Sequence, residues 1–216
     1  MIVIYGGGAL GREVVYLLTK RIGNSISNLL IVDDFIQGNT GSVDKVPVKT
    51  FEKLRSQSEL INQSKFIIAV GNPIDRELIL DKIQLVQGKL TQVIDPQTII
   101  SESAQLADGV IVSWNCSISH NTFLEENVFV NCGSIIGHDV LIRKNSSISS
   151  LVNINGHTSV GKSTFIGSGA IIRDGVSIGN NVLIGAGSVV LNDIPDNVVA
   201  LGNPAKVIAL NKNYNI

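Results

Sequence analysis

From Ile100 to Val190 an aliphatic residue stands at every sixth position: Ile100, Leu106, Val112, Ile118, Leu124, Val130, Ile136, Ile142, Ile148, Ile154, Val160, Ile166, Ile172, Ile178, Ile184 and Val190. Four places after each runs a second column of mostly small or β-branched residues, from Ala104 through Cys116, Ser134 and Thr158 to Ser188. Six is not a whole number of 3.6-residue turns, so no helix keeps both columns on fixed faces. A short strand and a turn, repeated without slip, does keep them there, which is the pattern of a β-solenoid. Burying the first column contributes roughly 1.5–3 kcal/mol per residue before conformational entropy is subtracted. These columns are therefore scaffold, and chemistry has to be sought in residues that depart from the repeat.

Composition narrows the partners. With 17 basic and 18 acidic residues the net charge is −1, whereas nucleic-acid binding asks for a basic surface. No run approaches the roughly 20 apolar residues of a membrane span. The start, Met1-Ile2-Val3-Ile4-Tyr5 before a glycine cluster, lacks the basic region of a secretory signal. Cys116 and Cys132 fit no CxxC pattern and are too few for a disulfide framework, so both are expected as free thiols in a reduced cytoplasm.

The first 95 residues follow a different rule. Ile2–Tyr5 reads as a buried strand entering Gly6-Gly7-Gly8-Ala9-Leu10-Gly11, and a helical pattern follows through Val14, Leu17 and Leu18. Gly6, Gly8 and Gly11 thus satisfy G-x-G-x-x-G in strand–turn–helix context, where the backbone can approach a phosphate and the helix start supplies N–H donors. A second strand, Leu29–Val32, ends in Asp33 and Asp34, placed to accept hydrogen bonds from a ribose or a base. A third, Phe66–Val70, ends in Gly71, and helices are expected over Val48–Ser56 and Ile74–Val86. A dinucleotide fold uses two βαβαβ halves and this segment has room for one. A nucleotide carried by a substrate fits it better than a redox dinucleotide or purely structural glycines. Pro96 then breaks the helical pattern before the solenoid, which sets domains at 1–95 and 96–216.

The period-six segment resembles the left-handed β-helix of hexapeptide acyltransferases. That resemblance implies three faces per coil, the left hand, and a coil of about 18 residues made of three six-residue repeats. Residues one coil apart then stack on neighbouring strands. All three histidines of the chain fall on one edge: His120 and His138 in one column with Gly156, and His157 in the next with Asn121 and Asp139. Three readings are open for this patch. Zinc ligation resembles the β-helical carbonic anhydrases, whose H-x-x-x-x-H pair is missing here. Histidines bonded to the turn backbone are a second reading, and His138 as general base beside a carboxylate is the third.

Val130-Asn131-Cys132-Gly133-Ser134-Ile135-Ile136-Gly137-His138-Asp139 resembles a segment of one family within that group. The family comprises the sialic-acid O-acetyltransferases and the bacterial N-acetyltransferases of nucleotide-linked 4-amino-sugars. The carboxyl end, with Asp193–Asn197 and Gly202-Asn203-Pro204-Ala205-Lys206, is also similar to hexapeptide acetyltransferases, where it helps enclose coenzyme A.

The resemblance implies an α/β Rossmann-like half domain followed by an all-β left-handed parallel β-helix. It implies an acetyl-CoA-dependent homotrimer acting in surface-glycan synthesis, without a metal. Residue by residue, it implies His138 as general base with Asp139 raising its basicity. It places Gly8, Ala9, Leu10, Asp33, Asp34 and Gly71 around the nucleotide, and Ser168 and Ala186 along the acetyl-CoA channel. Where some members have a second histidine, this chain has Ser147, and His157 is expected to take over part of that role. N-acetylation of the sugar is the reading adopted. O-acetylation of a sialic acid is its nearest rival, and a trimeric nucleotide-binding protein without catalysis is the rival of another class.

Overall fold

The computed structural model describes residues 1–35 and 41–212. The chain divides into two compact units, one made of Met1–Gly71 and Asp75–Val93, the other of Asn72–Ile74 and Ile94–Ile216.

In the first unit β1 (Ile2–Tyr5), β2 (Leu29–Val32), β3 (Gly41–Val43), β4 (Val46–Lys49), β5 (Lys65–Ile68) and β6 (Lys89–Leu90) form one sheet. Its order is β3-β4-β2-β1-β5-β6, parallel throughout except for the β3–β4 hairpin. The helices are α1 (Ala9–Tyr16), α2 (Phe51–Arg55), α3 (Ser58–Asn62) and α4 (Pro73–Leu85). The chain leaves β1 toward β2 and later returns to its other side as β5. The carboxyl ends of β1 and β5 therefore flank a topological switch point, where open parallel sheets bind ligands. The buried apolar runs of β1, β2 and β5 form the core beneath it.

One expectation needs correction here. The helix expected over Val48–Ser56 begins only at Phe51, because Val46-Pro47-Val48 alternates buried, exposed and buried as a half-buried strand does. Thr50 then caps the helix by accepting from the Lys53 N–H. The helix after β1 runs on from Tyr16 into a π-helical turn, Leu17–Arg21.

In the second unit successive short strands pass in rotation to three parallel sheets, so that each strand pairs with the one a full coil further on: Ile111 beside Phe129, Ser117 beside Ile135, Phe123 beside Leu141. From Val112 to Val190 every member of the aliphatic column is at most 3% exposed; Ile100 and Leu106, on the terminal coil, are half-buried. The polar members of the second column are buried too, and from Thr122 to Thr164 each spends its hydroxyl on a carbonyl of the next coil. Thr122 donates to Gly137, Ser134 to Ser149 and Ser146 to Gly161, at 2.7–2.8 Å. Cys116 does the same toward Asn131, and burial pushes its thiol up to about 11. Turn after turn places a residue at positive φ, including Asn115, Asn121, Asp139 and His157.

The solenoid continues past its expected end at Val190. Ile194 bridges to Ile178, and Val199–Ala200 stacks on Leu183–Ile184, so this last coil is shorter than those before it. The chain then turns through Asn203–Pro204 into an antiparallel strand, Ala205–Leu210.

Candidate active site

A cavity of about 800 Å³ opens at the switch point of the first unit, and Gly8, Ala9, Leu10, Asp33, Asp34 and Gly71 all line it. Gly6, at φ +111°, has no room for a side chain, since a Cβ would stand 2.6 Å from the Ala69 carbonyl oxygen. A Cβ on Gly11 would collide with the Gly6 carbonyl. These two glycines let α1 start directly against the end of β1. The Arg76 side chain, fully buried, donates to the carbonyls of Ile68 and Val70 at 2.8 Å and fixes the backbone leaving β5. Burial pushes this guanidinium down to about 9, so it stays charged at neutral pH.

The two aspartates hold the cavity wall together as well as facing it. Asp33 accepts from the Gly7 N–H at 2.7 Å and the Phe35 N–H at 2.9 Å. Asp34 accepts from the Tyr5 hydroxyl at 2.6 Å, Lys82 at 2.9 Å and the Phe51 N–H at 2.8 Å. Burial alone would raise the Asp34 carboxyl, but these bonds outweigh it and hold it below the usual range. Tyr5 is driven the other way by burial and by Asp34, and stays protonated. Asp33 therefore keeps more acceptor capacity for a ligand than Asp34. Tyr5 and Lys82 line the same cavity, and sequence reasoning missed both. Lys82 stands two positions from Leu80 on α4, with nothing in the helical pattern to mark it.

In the second unit, the stacking of successive coils brings His138, Asp139 and His157 together. His138 Nδ1 lies 2.8 Å from Asp139 Oδ2, and His157 Nδ1 lies 3.8 Å from the same oxygen. The two imidazoles meet edge to face with centroids 4.8 Å apart. Asn121 donates to Asp139 Oδ1 at 3.2 Å. The bond from His138, followed by that from Asn121, holds the Asp139 carboxyl below its usual range. The contact fixes the neutral tautomer of His138: Nδ1–H donates to Asp139 and Nε2 keeps its lone pair. Nε2 is turned over Gly156, on whose other side lies Asp174. A Cβ on Gly156 would stand 2.7 Å from Nε2 and 2.9 Å from Asp174 Oδ2. Sequence reasoning missed Asp174 too, although it continues the His138 column by two further coils.

His120 does not join this group. Its backbone carbonyl accepts from the Asp139 N–H, but its ring turns to Ser101, with Nδ1 2.6 Å from the hydroxyl. The acetyl-CoA residues expected from the sequence also part company. His157 is in the histidine patch, and its side chain is exposed. Ser168 and Ala186 are exposed on a second edge of the coil, because neither is a whole number of coils away from His138. Ser147 is 1% exposed and its hydroxyl is buried with no hydrogen-bond partner among the described residues. It lies between Phe129 and Phe165 on its sheet, away from the histidine patch.

One ligand atom from each of His138, Asp139 and His157 lies within 4.8 Å of the others. Tetrahedral zinc at about 2.0–2.1 Å from each would require them roughly 3.4 Å apart. It would also displace the His138–Asp139 hydrogen bond. The arrangement as it stands suits an oriented base.

A Rossmann-like half domain with a cavity at its switch point, joined to a β-helix whose turns carry a carboxylate-oriented histidine, defines a hexapeptide acetyltransferase. Residues 1–83 match the family model of the PglD N-terminal domain, and residues 157–192 that of the bacterial transferase hexapeptide repeats. The acetyltransferase domain of PglB from Neisseria gonorrhoeae is 31% identical over 96% of this chain and 98% of its own, with a TM-score of 0.87. Its complex with acetyl coenzyme A is similar at 32% identity over the same shares of the two chains, TM-score 0.86. A mutant of perosamine N-acetyltransferase from Caulobacter crescentus, in complex with CoA and GDP-perosamine, is 29% identical over 96% of each chain, TM-score 0.88. No curated protein sequence matches significantly. The chain belongs to the family of hexapeptide-repeat acetyltransferases that comprises the sialic-acid O-acetyltransferases and the N-acetyltransferases of nucleotide-linked 4-amino-sugars. Its β-helix is of the left-handed type found in that family, and the protein is an acetyltransferase.

Proposed function

We propose that this protein transfers the acetyl group of acetyl-CoA to the amino group of a nucleotide-linked amino-sugar, by direct transfer within a ternary complex and as a homotrimer. The observation that carries the mechanism is the 2.8 Å contact between His138 Nδ1 and Asp139 Oδ2, which leaves Nε2 as the basic nitrogen. Nε2 takes a proton from the sugar amino group, whose nitrogen attacks the thioester carbonyl. Asp139, already negative, stabilises the imidazolium that forms. Collapse of the tetrahedral intermediate expels the CoA thiolate, which recovers the proton from His138. No covalent acyl-enzyme enters: Cys132 lies one repeat before His138, on another face of the coil, and is hydrogen-bonded to Ser150 at 3.5 Å.

The cavity of the first unit is assigned to the nucleotide, with Gly8, Ala9 and Leu10 at the start of α1 facing phosphate and Asp33 facing ribose or base. Ser168, Ala186 and His157 are assigned to acetyl-CoA. The complex of the Caulobacter relative with CoA and GDP-perosamine, and that of the Neisseria relative with acetyl coenzyme A, support the pairing of a nucleotide-linked substrate with acetyl-CoA.

The test is a thermal-shift panel of UDP-, dTDP-, GDP- and CMP-linked amino-sugars, followed by thiol release from acetyl-CoA with those that bind. Turnover with at least one amino-sugar is expected, and His138→Ala should lower kcat by about 10²–10⁴-fold. Turnover near the wild-type rate in that variant would sink the base assignment. A His157→Ala variant in the same assay reads the acetyl-CoA side, through an increase in the KM for acetyl-CoA alone.

A further inference from the structure

The glycine at position 156 has no cause in the backbone. Among the turn residues of its coil the left-handed position is taken by His157, at φ 54°, and Gly156 itself is not at positive φ. What a side chain at Gly156 would meet is functional groups: Cε1 and Nε2 of His138, at 2.6 and 2.7 Å, and Oδ2 of Asp174, at 2.9 Å. The Asp174 carboxylate has no hydrogen bond or ion pair with any described residue. The point a Cβ would take at Gly156 is thus already closed in by a basic nitrogen and a free carboxylate oxygen, both on the exposed edge of the coil. Lying 2.7 and 2.9 Å from that one point, they are close enough for a single donor nitrogen to bond both from the solvent side.

We propose that the amine receiving the acetyl group bridges His138 Nε2 and the Asp174 carboxylate on the exposed edge of the coil beside Gly156, and that Asp174 is the residue that selects an amine. The inference rests on the acetyl-transfer reading above and names the feature of the substrate this site recognises. An aliphatic amine arrives mostly as ammonium at neutral pH, with a reference pKa of about 10.4 for such groups. One N–H makes a charge-assisted hydrogen bond to Asp174 and another points at Nε2. His138 removes that second proton, and the freed lone pair attacks the thioester carbon. As the C–N bond forms, the nitrogen passes a further proton to Asp174. The C–S bond then breaks, the thiolate takes the proton held by His138, and Asp174 releases its own to solvent. The sum is ammonium and thioester in, and amide, thiol and one proton out. A sugar hydroxyl has a single proton and cannot donate to both acceptors, so one of them is left facing an oxygen lone pair.

The test uses the full-length protein, acetyl-CoA and the amino-sugar nucleotide found in the panel, with its hydroxyl counterpart as competitor. Asp174→Asn should lower kcat/KM for the amine by about 10–100-fold, the worth of one hydrogen bond to a charged group. It should leave the KM for acetyl-CoA unchanged and reduce the preference for amine over hydroxyl in direct binding. Gly156→Ala, whose methyl would push His138 and Asp174 out of place, should lose kcat/KM as well, with the fold checked by circular dichroism. Wild-type protein that transfers acetyl groups while Asp174→Asn stays within about twofold of it overturns the proposal alone. Wild-type protein that acetylates no nucleotide-linked amino-sugar overturns the parent reading, and the proposal falls with it.

Discussion

Asp139 stands at a left-handed turn position, φ 56°, which a short polar side chain tolerates better than a branched or bulky one. From there one carboxylate serves two imidazoles and an amide. Because its folded pKa is depressed, the favourable contribution of the charged form is complete above the unfolded value near 4. It is lost only as pH falls through the lower folded value. Between about pH 6 and 9 Asp139 is therefore always ionised. Asp139→Asn should lower kcat by roughly 10²–10⁴-fold, uniformly over that window, since the amide can present the wrong group to Nδ1. A pH–rate series measures it, and a loss that vanished toward either end would contradict a fixed orienting charge. His138, Asp139 and His157 were legible in the sequence because a coil of constant length turns sequence distance into contact. The same rule places His120 with them, and there it fails. Its backbone does stack in that column, but its ring is captured by Ser101, and a rotamer choice of that kind leaves no periodic trace.

At the scale of elements, the repeat predicts what points inward and says less about what lies on the outer face of each strand. Ser147 alternates with the inward Ile148 and so points outward, as a polar residue normally would to meet solvent or ligand. It is buried instead, between the stacked Phe129 and Phe165, with its hydroxyl unpartnered. Ser147→Ala should raise stability by roughly 1 kcal/mol, since it removes a buried hydroxyl that makes no bond. Urea unfolding measures this, and the KM for acetyl-CoA should not move. A destabilised variant would mean the hydroxyl is bonded after all. The first unit was legible in its three central parallel strands because they are continuous apolar runs. The β3–β4 hairpin was not, because Val46–Lys49 carries only two inward residues and a proline, too short a run to outweigh the helix former Leu54 downstream. The last coil escaped because it is shorter than the rest, pairing Asn180 with Asp196 and Asn181 with Asn197 where the repeat calls for residues further along.

For the molecule as a whole, one face of the solenoid does not look finished. Ile99, Ser117, Ile135, Asn153, Ile171 and Val189 follow one another on the outside of one sheet, strand beside strand. Three of them are large and wet: Ile99 is 73% exposed, Ile135 51% and Ile171 43%. Leu151, at the turn that leads into the same sheet, is 68% exposed and lies over Gly133. A row of exposed isoleucines, interrupted only by Ser117 and Asn153, is best buried against another copy, which presents the same row. Covering it gains about 25 cal/mol per Å² of apolar surface removed from water. A charge placed in the middle would then have to be desolvated, at several kcal/mol, while in an isolated chain it would merely stand in solvent. Ile135→Glu should therefore leave the circular dichroism of the coil intact and shift the protein from trimer toward monomer in sedimentation velocity. Because acetyl-CoA is assigned partly to Ser168 and Ala186, on a different edge from His138, the same variant should lose acetyl transfer with its oligomeric state. A wild-type protein that sediments as a fully active monomer would contradict both the trimer and the need for a neighbouring copy to complete the site.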